Sequence, residues 1–151
     1  MISSKLLITL FTDSHESIKQ LTANLTNEDS IFQPPFGGNC VNWIVGHIVV
    51  ARCNFLMFLD VPSIWDMDRC MKYIPGSPPI LKVDDAVSFD TLLADLDKTQ
   101  KLLMSALNKV STEDLQKISD DKTIGEHLAI YVAHENYHAG QLQVLRKAMG
   151  N

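Results

Sequence analysis

The chain is short of cysteine, of long apolar runs and of positive charge, and each shortage removes a class of protein. Its three cysteines, Cys40, Cys53 and Cys70, are an odd number, and none stands in CxxC spacing. A disulfide scaffold is therefore not expected, and this cysteine usage suits a reducing cytoplasm. Lysine and arginine total 13 against 18 aspartates and glutamates, a formal net charge of −5. With a pI near 5.4 the chain lacks the basic face that nucleic acid requires. No apolar run approaches the ~18 residues of a membrane span. The segment from Met1 to Phe11 is short and apolar, but Asp13, His15 and Glu16 follow at once. Without a small-residue cleavage pattern it reads as the start of a first helix, not as a signal peptide.

What is present is ordinary for a globular chain: 151 residues, 46% hydrophobic and 21% charged. That length supports one domain, 1–151, with a full core and no need of staples. Four helical patterns organise it. Over residues 3–26, Leu7, Leu10, Phe11, Ile18, Leu21 and Leu25 share one face. Ser14 interrupts this stripe, which leaves two readings: a polar cavity beneath it, or a serine bonded back to its own helix. His15 lies at the edge of the face and is expected to be exposed. Asn27–Asn39 is a connection marked by Pro34-Pro35 and Gly37-Gly38, with Asn39 the expected cap of the next helix.

The second helix, Cys40 to Leu59, is apolar almost all round. Cys40, Trp43, Ile44, Val50, Ala51, Asn54 and Phe58 lie within about 60° of His47, and Val45, Val49 and Leu56 fill the opposite side. A helix apolar all round should be buried all round. The outer side of a bundle is normally wet, so a second subunit is expected to cover it, making a homodimer. Residues 60–83 are proline-rich yet carry Trp65, Met67, Met71 and Tyr73. Such a segment is expected to pack over one end of the bundle and form part of a pocket wall. A third helix, from Asp85 or Ser88 to Val110, presents Phe89, Leu92, Leu93, Leu96, Leu103, Leu107 and Val110 and reads as scaffold. Ser111 caps a short turn before the loop at Asp120-Asp121-Lys122. The fourth helix starts at Thr123, in capping-box register with Glu126, and runs to Met149. Its inward face is expected to hold Ile124, His127, Ile130, Tyr131, His134, His138, Gln141, Leu142 and Leu145. The fold class is all-α, a four-helix bundle without a convincing strand.

The fourth helix carries the chemistry. His134 and His138 are four residues apart, so their rings stand about 40° apart on one face, one turn above the other. Two ligands from one turn cannot enclose an ion, and His47, mid-face on another long helix, is the third candidate. Three neutral imidazoles suit a divalent ion such as zinc or nickel, with iron a further choice. They leave a coordination position open, as catalytic sites do and closed structural zinc sites do not. A metal there could activate a bound water or thiolate, or polarise a carbonyl. His127 is two turns from His134, about 10 Å along the axis, and reads as a packed residue, not a ligand. Glu135, at the border of the face, is the nearest candidate general base. Gln141 and Asn54 are candidate substrate or supporting contacts. Cys53 points away from His47, and Tyr131 and Tyr137 flank the face in packing roles.

These motifs carry a resemblance. The run Gln33 to His47, with its Pro34-Pro35, Gly37-Gly38 and Trp43-Ile44-Val45-Gly46-His47, resembles the loop and second helix of the DinB/YfiT-like metalloenzyme superfamily. Ser111-Thr112-Glu113-Asp114-Leu115, followed by Thr123-Ile124-Gly125-Glu126-His127-Leu128, resembles the approach to its last helix. His134-Glu135-Asn136-Tyr137-His138-Ala139-Gly140-Gln141 resembles its HxxxHxGQ motif. The resemblance implies an up-down-down-up bundle with a three-histidine metal site at His47, His134 and His138, frequently in a dimer. Some relatives use a low-molecular-weight thiol as cosubstrate. The function expected is activation of water or such a thiol toward a small molecule, as a thiol S-transferase or hydrolase. The alternative is a non-catalytic metal-binding or structural dimeric bundle. No nucleic-acid or membrane partner is expected.

Overall fold

A computed structural model describes residues 2–150. They are mostly helical. Four long helices, α1 (Ser4–Thr22), α3 (Val41–Met57), α5 (Phe89–Leu107) and α7 (Ile124–Ala148), carry the core. Between them lie short helices α2 (Asn27–Ser30), α4 (Met67–Met71) and α6 (Thr112–Leu115), and a 3₁₀ turn at Val83–Asp85. Helix α1 packs on α7, α7 on α3, α3 on α5 and α5 on α1, so the four close a ring. A two-residue hairpin, β1 (Ile118–Ser119) with β2 (Lys122–Thr123), pairs Ile118 with Thr123 and Ser119 with Lys122. This strand pair went unread because two residues show no alternation.

Local chemistry sets the helix ends. Ser3, Ser88, Ser111 and Thr123 each accept a backbone N–H three residues on, and the Ser111–Asp114 and Thr123–Glu126 pairs close full capping boxes. Cys40, not Asn39, caps α3, and it does so without a side-chain bond. Around the ring Leu7, Phe11, Phe55, Leu103 and Leu128 form one core cluster, with the Phe11 and Phe55 rings 5.2 Å apart. Burying each such side chain contributes about 1.5–3 kcal/mol, and truncating Phe11 to alanine would remove about 3–5 kcal/mol.

Helix α3 is buried at every position from Val41 to Cys53. The side expected to need a second subunit is covered by the chain itself. Trp65, Tyr73 and Ile80 join the same cluster as Trp43, Ile44 and Val45. The indole of Trp43 donates to Ser77 Oγ (2.8 Å) and the amide of Asn42 donates to the Val87 carbonyl (2.9 Å). The apolarity of α3 therefore no longer calls for a partner. The 60–88 segment lies along α3 instead of capping an end of the bundle, and Met67 and Met71 point to solvent.

Gly46 fixes where that segment sits. A Cβ at Gly46 would overlap the ring of Tyr73, so only glycine lets the ring lie on the helix. Tyr73 is fully buried; its hydroxyl donates to Asn42 Oδ1 (3.0 Å) and accepts from the Val87 N–H (2.9 Å).

The buried face of α7 differs from the expected one. His138, Leu142 and Leu145 face inward as expected, but Leu128, Val132, Glu135 and Ala139 join them, while Ile130 is half exposed. The face is turned by about one residue, or about 100°. His134 consequently stands at its edge and not at its centre.

Candidate metal centre

Helix α3 presents His47, and two successive turns of α7 present His134 and His138. Their Nε2 atoms converge: His47 to His134 is 3.0 Å, and His138 to His134 is 3.1 Å. Among the described residues these three form the group able to share an ion, with ligand atoms all within 4.8 Å of one another. Ligands on a tetrahedral ion at about 2.0–2.1 Å stand roughly 3.3–3.4 Å apart, close to the distances seen.

Hydrogen bonds behind the rings set which nitrogen carries the proton. The Tyr73 carbonyl can only accept, so His47 Nδ1–H donates to it at 2.7 Å. The Gln141 amide donates to the Tyr137 hydroxyl (3.2 Å), which turns Gln141 Oε1 toward His138 Nδ1–H at 2.7 Å. Both Nε2 atoms then carry lone pairs, and both aim at His134 Nε2. One hydrogen on that atom could serve only one of them, and the buried His134 Nδ1 has no partner among the described residues. A shared cation would satisfy the three converging Nε2 atoms, so these residues fit a divalent metal, while the His134 Nδ1–H keeps no partner among the described residues.

The electrostatics agree. Burial, reinforced by the neighbouring imidazoles His134 and His47, pushes His138 down to about 4. Burial lowers His47 too, although the Tyr73 carbonyl opposes it, and burial and His47 lower His134. All three are held neutral, the form that binds metal. Trp43 stacks on His47 with centroids 4.8 Å apart, and Tyr137 and Tyr131 present to His138 and His134 at 5.2 and 6.5 Å.

Glu135, the candidate general base, is engaged by Arg52 and Ser14. It is fully buried, and there Arg52 Nε donates to Oε1 (2.6 Å) and Nη2 to Oε2 (2.9 Å). Ser14 Oγ adds a bond to Oε2 at 2.7 Å. With both oxygens engaged away from the three Nε2 atoms, the carboxylate is not placed to act as a general base. Ser14 thus faces this carboxylate, which decides between its two readings. His15 is likewise buried, accepting from Arg52 Nη1 (3.3 Å) and contacting Asp97 through Nε2 (3.0 Å). Burial, then Arg52, holds it below the ordinary histidine range.

The remaining candidates separate. Gln141 supports His138, as above. Asn54 is exposed and outside the cluster, and Cys53 is buried in the core. His127 lies apart, stacked on Phe58 at 5.0 Å and bonded to the Ser119 carbonyl at 2.8 Å. Sequence reasoning named Tyr73 only as part of a packing segment and did not read its carbonyl's bond to His47 or the Arg52–Glu135 pair; Gly46, a bare position in a long helix, is a further trace of the ring.

No helix among the described residues is long and apolar enough to cross a membrane. A search of curated proteins finds no match. The chain is similar in fold to a crystal structure of a conserved protein from Enterococcus faecalis, with a TM-score of 0.78 and 17% identity, covering 100% of this chain and 99% of that one. A model of the DinB superfamily matches residues 10–142, and with its three converging histidines the chain belongs to that family.

Proposed function

We propose that His47, His134 and His138 hold a divalent metal ion and that the protein is a metalloenzyme acting on a small molecule. The observation that carries this reading is the pair of lone pairs, on His47 and His138, directed at the same point by the Tyr73 carbonyl and Gln141. When bound, the ion would supply Lewis-acid activation of water or of a low-molecular-weight thiol. The chain's own residues do the rest. Tyr73 and Gln141 fix the tautomers of two ligands, burial keeps the three rings unprotonated, and Trp43 and Tyr137 wall the centre. Zinc and nickel fit three imidazoles first, and iron after them.

Two activities follow, thiol S-transferase and hydrolase. The first turns over a chloro- or epoxide-type electrophile only with added thiol; the second needs only water. The same reading takes residues 1–151 as a single cytoplasmic domain without nucleic-acid or membrane partners; a homodimer rests on the family resemblance, since the chain itself covers α3. Arg52–Glu135 with Phe55–Tyr131 runs α3 against α7, Ser14–Glu135 with Arg146–Leu21 runs α1 along α7, and Asn42–Val87 with Arg52–Leu96 runs α3 along α5, which supports an up-down-down-up order. One observation favours the non-catalytic alternative: His47 and His138 are only 9% and 6% exposed, a crowding that suits a closed site.

Elemental analysis of untagged protein decides first, beside His47→Ala and His134→Ala. About one equivalent of metal in the parent, lost in both variants, is expected. A parent that stays metal-free after loading with zinc, nickel or iron would overturn the reading.

A further inference from the structure

Beside the histidines lies a groove of about 380 Å3, within the size range of small-molecule sites. The 34–39 loop forms one wall, the start of α3 its base and the second half of α7 the other wall. Pro34, Phe36, Ile44, Tyr137, Val144 and Leu145 line it, and no charged residue does. Asn39 and Gln141 are the polar amides of the lining, both uncharged, and Gln141 is the residue whose Oε1 holds His138.

Three glycines face this groove, and at each a Cβ would meet nothing within 4 Å. Gly37 and Gly38 have φ of +81° and +105°, so the loop itself requires them. Gly140 has no such reason. It sits inside the 25-residue helix α7 in ordinary helical geometry, where glycine is the least stabilising residue after proline. No neighbour crowds it, so packing does not demand it either. What a side chain at Gly140 would do is fill open space in the groove.

We infer that this groove, between the 34–39 loop and α7 at Gly140, is the subsite that takes the uncharged alkyl or aryl part of the substrate. As a statement about substrate class it rests on the proposed metal centre; as a binding groove it stands on its own walls. Charge complementarity sets the ligand chemistry: an ionic group would lose its hydration here and find no opposite charge. The exposed rings of Phe36 and Tyr137 supply stacking or edge contact for the entering group.

The test follows amide resonances of 15N-labelled protein titrated with acetamide, butanamide, hexanamide and octanamide, metal-free and zinc-loaded. Shifts at Gly38, Gly140 and Val144 are expected, with affinity rising roughly fourfold for each methylene buried. Hexanoate and hexylammonium should bind more weakly than hexanamide. Gly140→Leu should abolish the dependence on chain length while zinc uptake stays intact, and Gly140→Ala, which keeps the helix, should reduce it. A flat series, or an equal slope in Gly140→Leu, would overturn the inference. So would a dimer in sedimentation that Gly140→Leu dissociates with no alkyl effect, which would make the groove a seat for a second copy. Failure of zinc to bind would sink the metal reading alone, because the metal-free series still decides the groove.

Discussion

Arg52 and Glu135 are both fully buried and meet through two bonds, 2.6 and 2.9 Å long, between α3 and α7. Glu135 stands between the two histidines of α7 in sequence, and Arg52 one turn or so beyond His47. The pair therefore pins together the two helices that supply the converging imidazoles. Ser14, His15 and the Leu96 carbonyl complete it, so all four long helices reach this knot.

Breaking one half should be far worse than replacing both. Arg52→Met leaves the Glu135 carboxylate buried without its cation, and we expect a loss of about 3–5 kcal/mol in urea denaturation. The double variant Arg52→Met/Glu135→Leu should recover most of it, since apolar residues of similar volume substitute well for a buried pair. A single-variant loss under about 1 kcal/mol would show that the pair is hydrated, contrary to its burial.

The folding pattern was legible where side-chain chemistry is local. Thr123 with Glu126 and Ser111 with Asp114 read as capping boxes because the bonding partners are three residues apart. His134 and His138 read as a pair because one helix turn joins them. Glu135 looks half-wet at a border position because its cation, Arg52, comes from another helix. His15 was read as exposed because its partners, Arg52 and Asp97, lie far along the chain. The Tyr73 carbonyl is a backbone group, which no residue pattern marks. Gly46, a bare position in a long helix, makes sense once the Tyr73 ring is seen against it.

Gln141 should act on the metal and little on the fold. Its side chain is half-buried and its bonds run to His138 and Tyr137. Gln141→Leu frees the His138 ring to turn and to exchange tautomers. Competition with a zinc chelator is expected to show affinity lowered about 10–100-fold. The Tm of metal-free protein should move by no more than a degree or two, and a drop like that of Arg52→Met would assign Gln141 to helix tying instead.

Gly46→Ala tests whether the 60–88 segment and the metal centre are one unit. The added methyl overlaps the Tyr73 ring, so either the ring or the segment must move. Overpacking of this kind costs about 1–3 kcal/mol. Displacing Tyr73 also takes its carbonyl from His47, so zinc affinity and protection of residues 60–88 from limited proteolysis should fall together. Tyr73→Ala in the Gly46→Ala background should add less than it does alone. Unchanged proteolysis with lowered affinity would separate the two.

Acid should destabilise the metal-free protein at a pH where most proteins are still comfortable. His138 is lowered from 6.5 to about 4, and His15, His47 and His134 are lowered as well. Each group's proton is therefore taken up more readily by the unfolded chain than by the folded one. As pH falls below 6.5, the unfolded state gains protons that the folded state resists, and folding stability falls. The decline ends near the folded pKa, below which both states are protonated. For His138 alone the full loss is roughly 3 kcal/mol by linkage. Urea denaturation of metal-free protein between pH 7 and 4 should show this slope, and His138→Ala should remove a large part of it. Zinc should steepen it, because the ion binds only the unprotonated rings and its contribution vanishes as they charge. A metal-free stability that is flat from pH 7 to 4.5 would mean that the rings already share protons in the folded state, and the argument that they await a cation would fail with it.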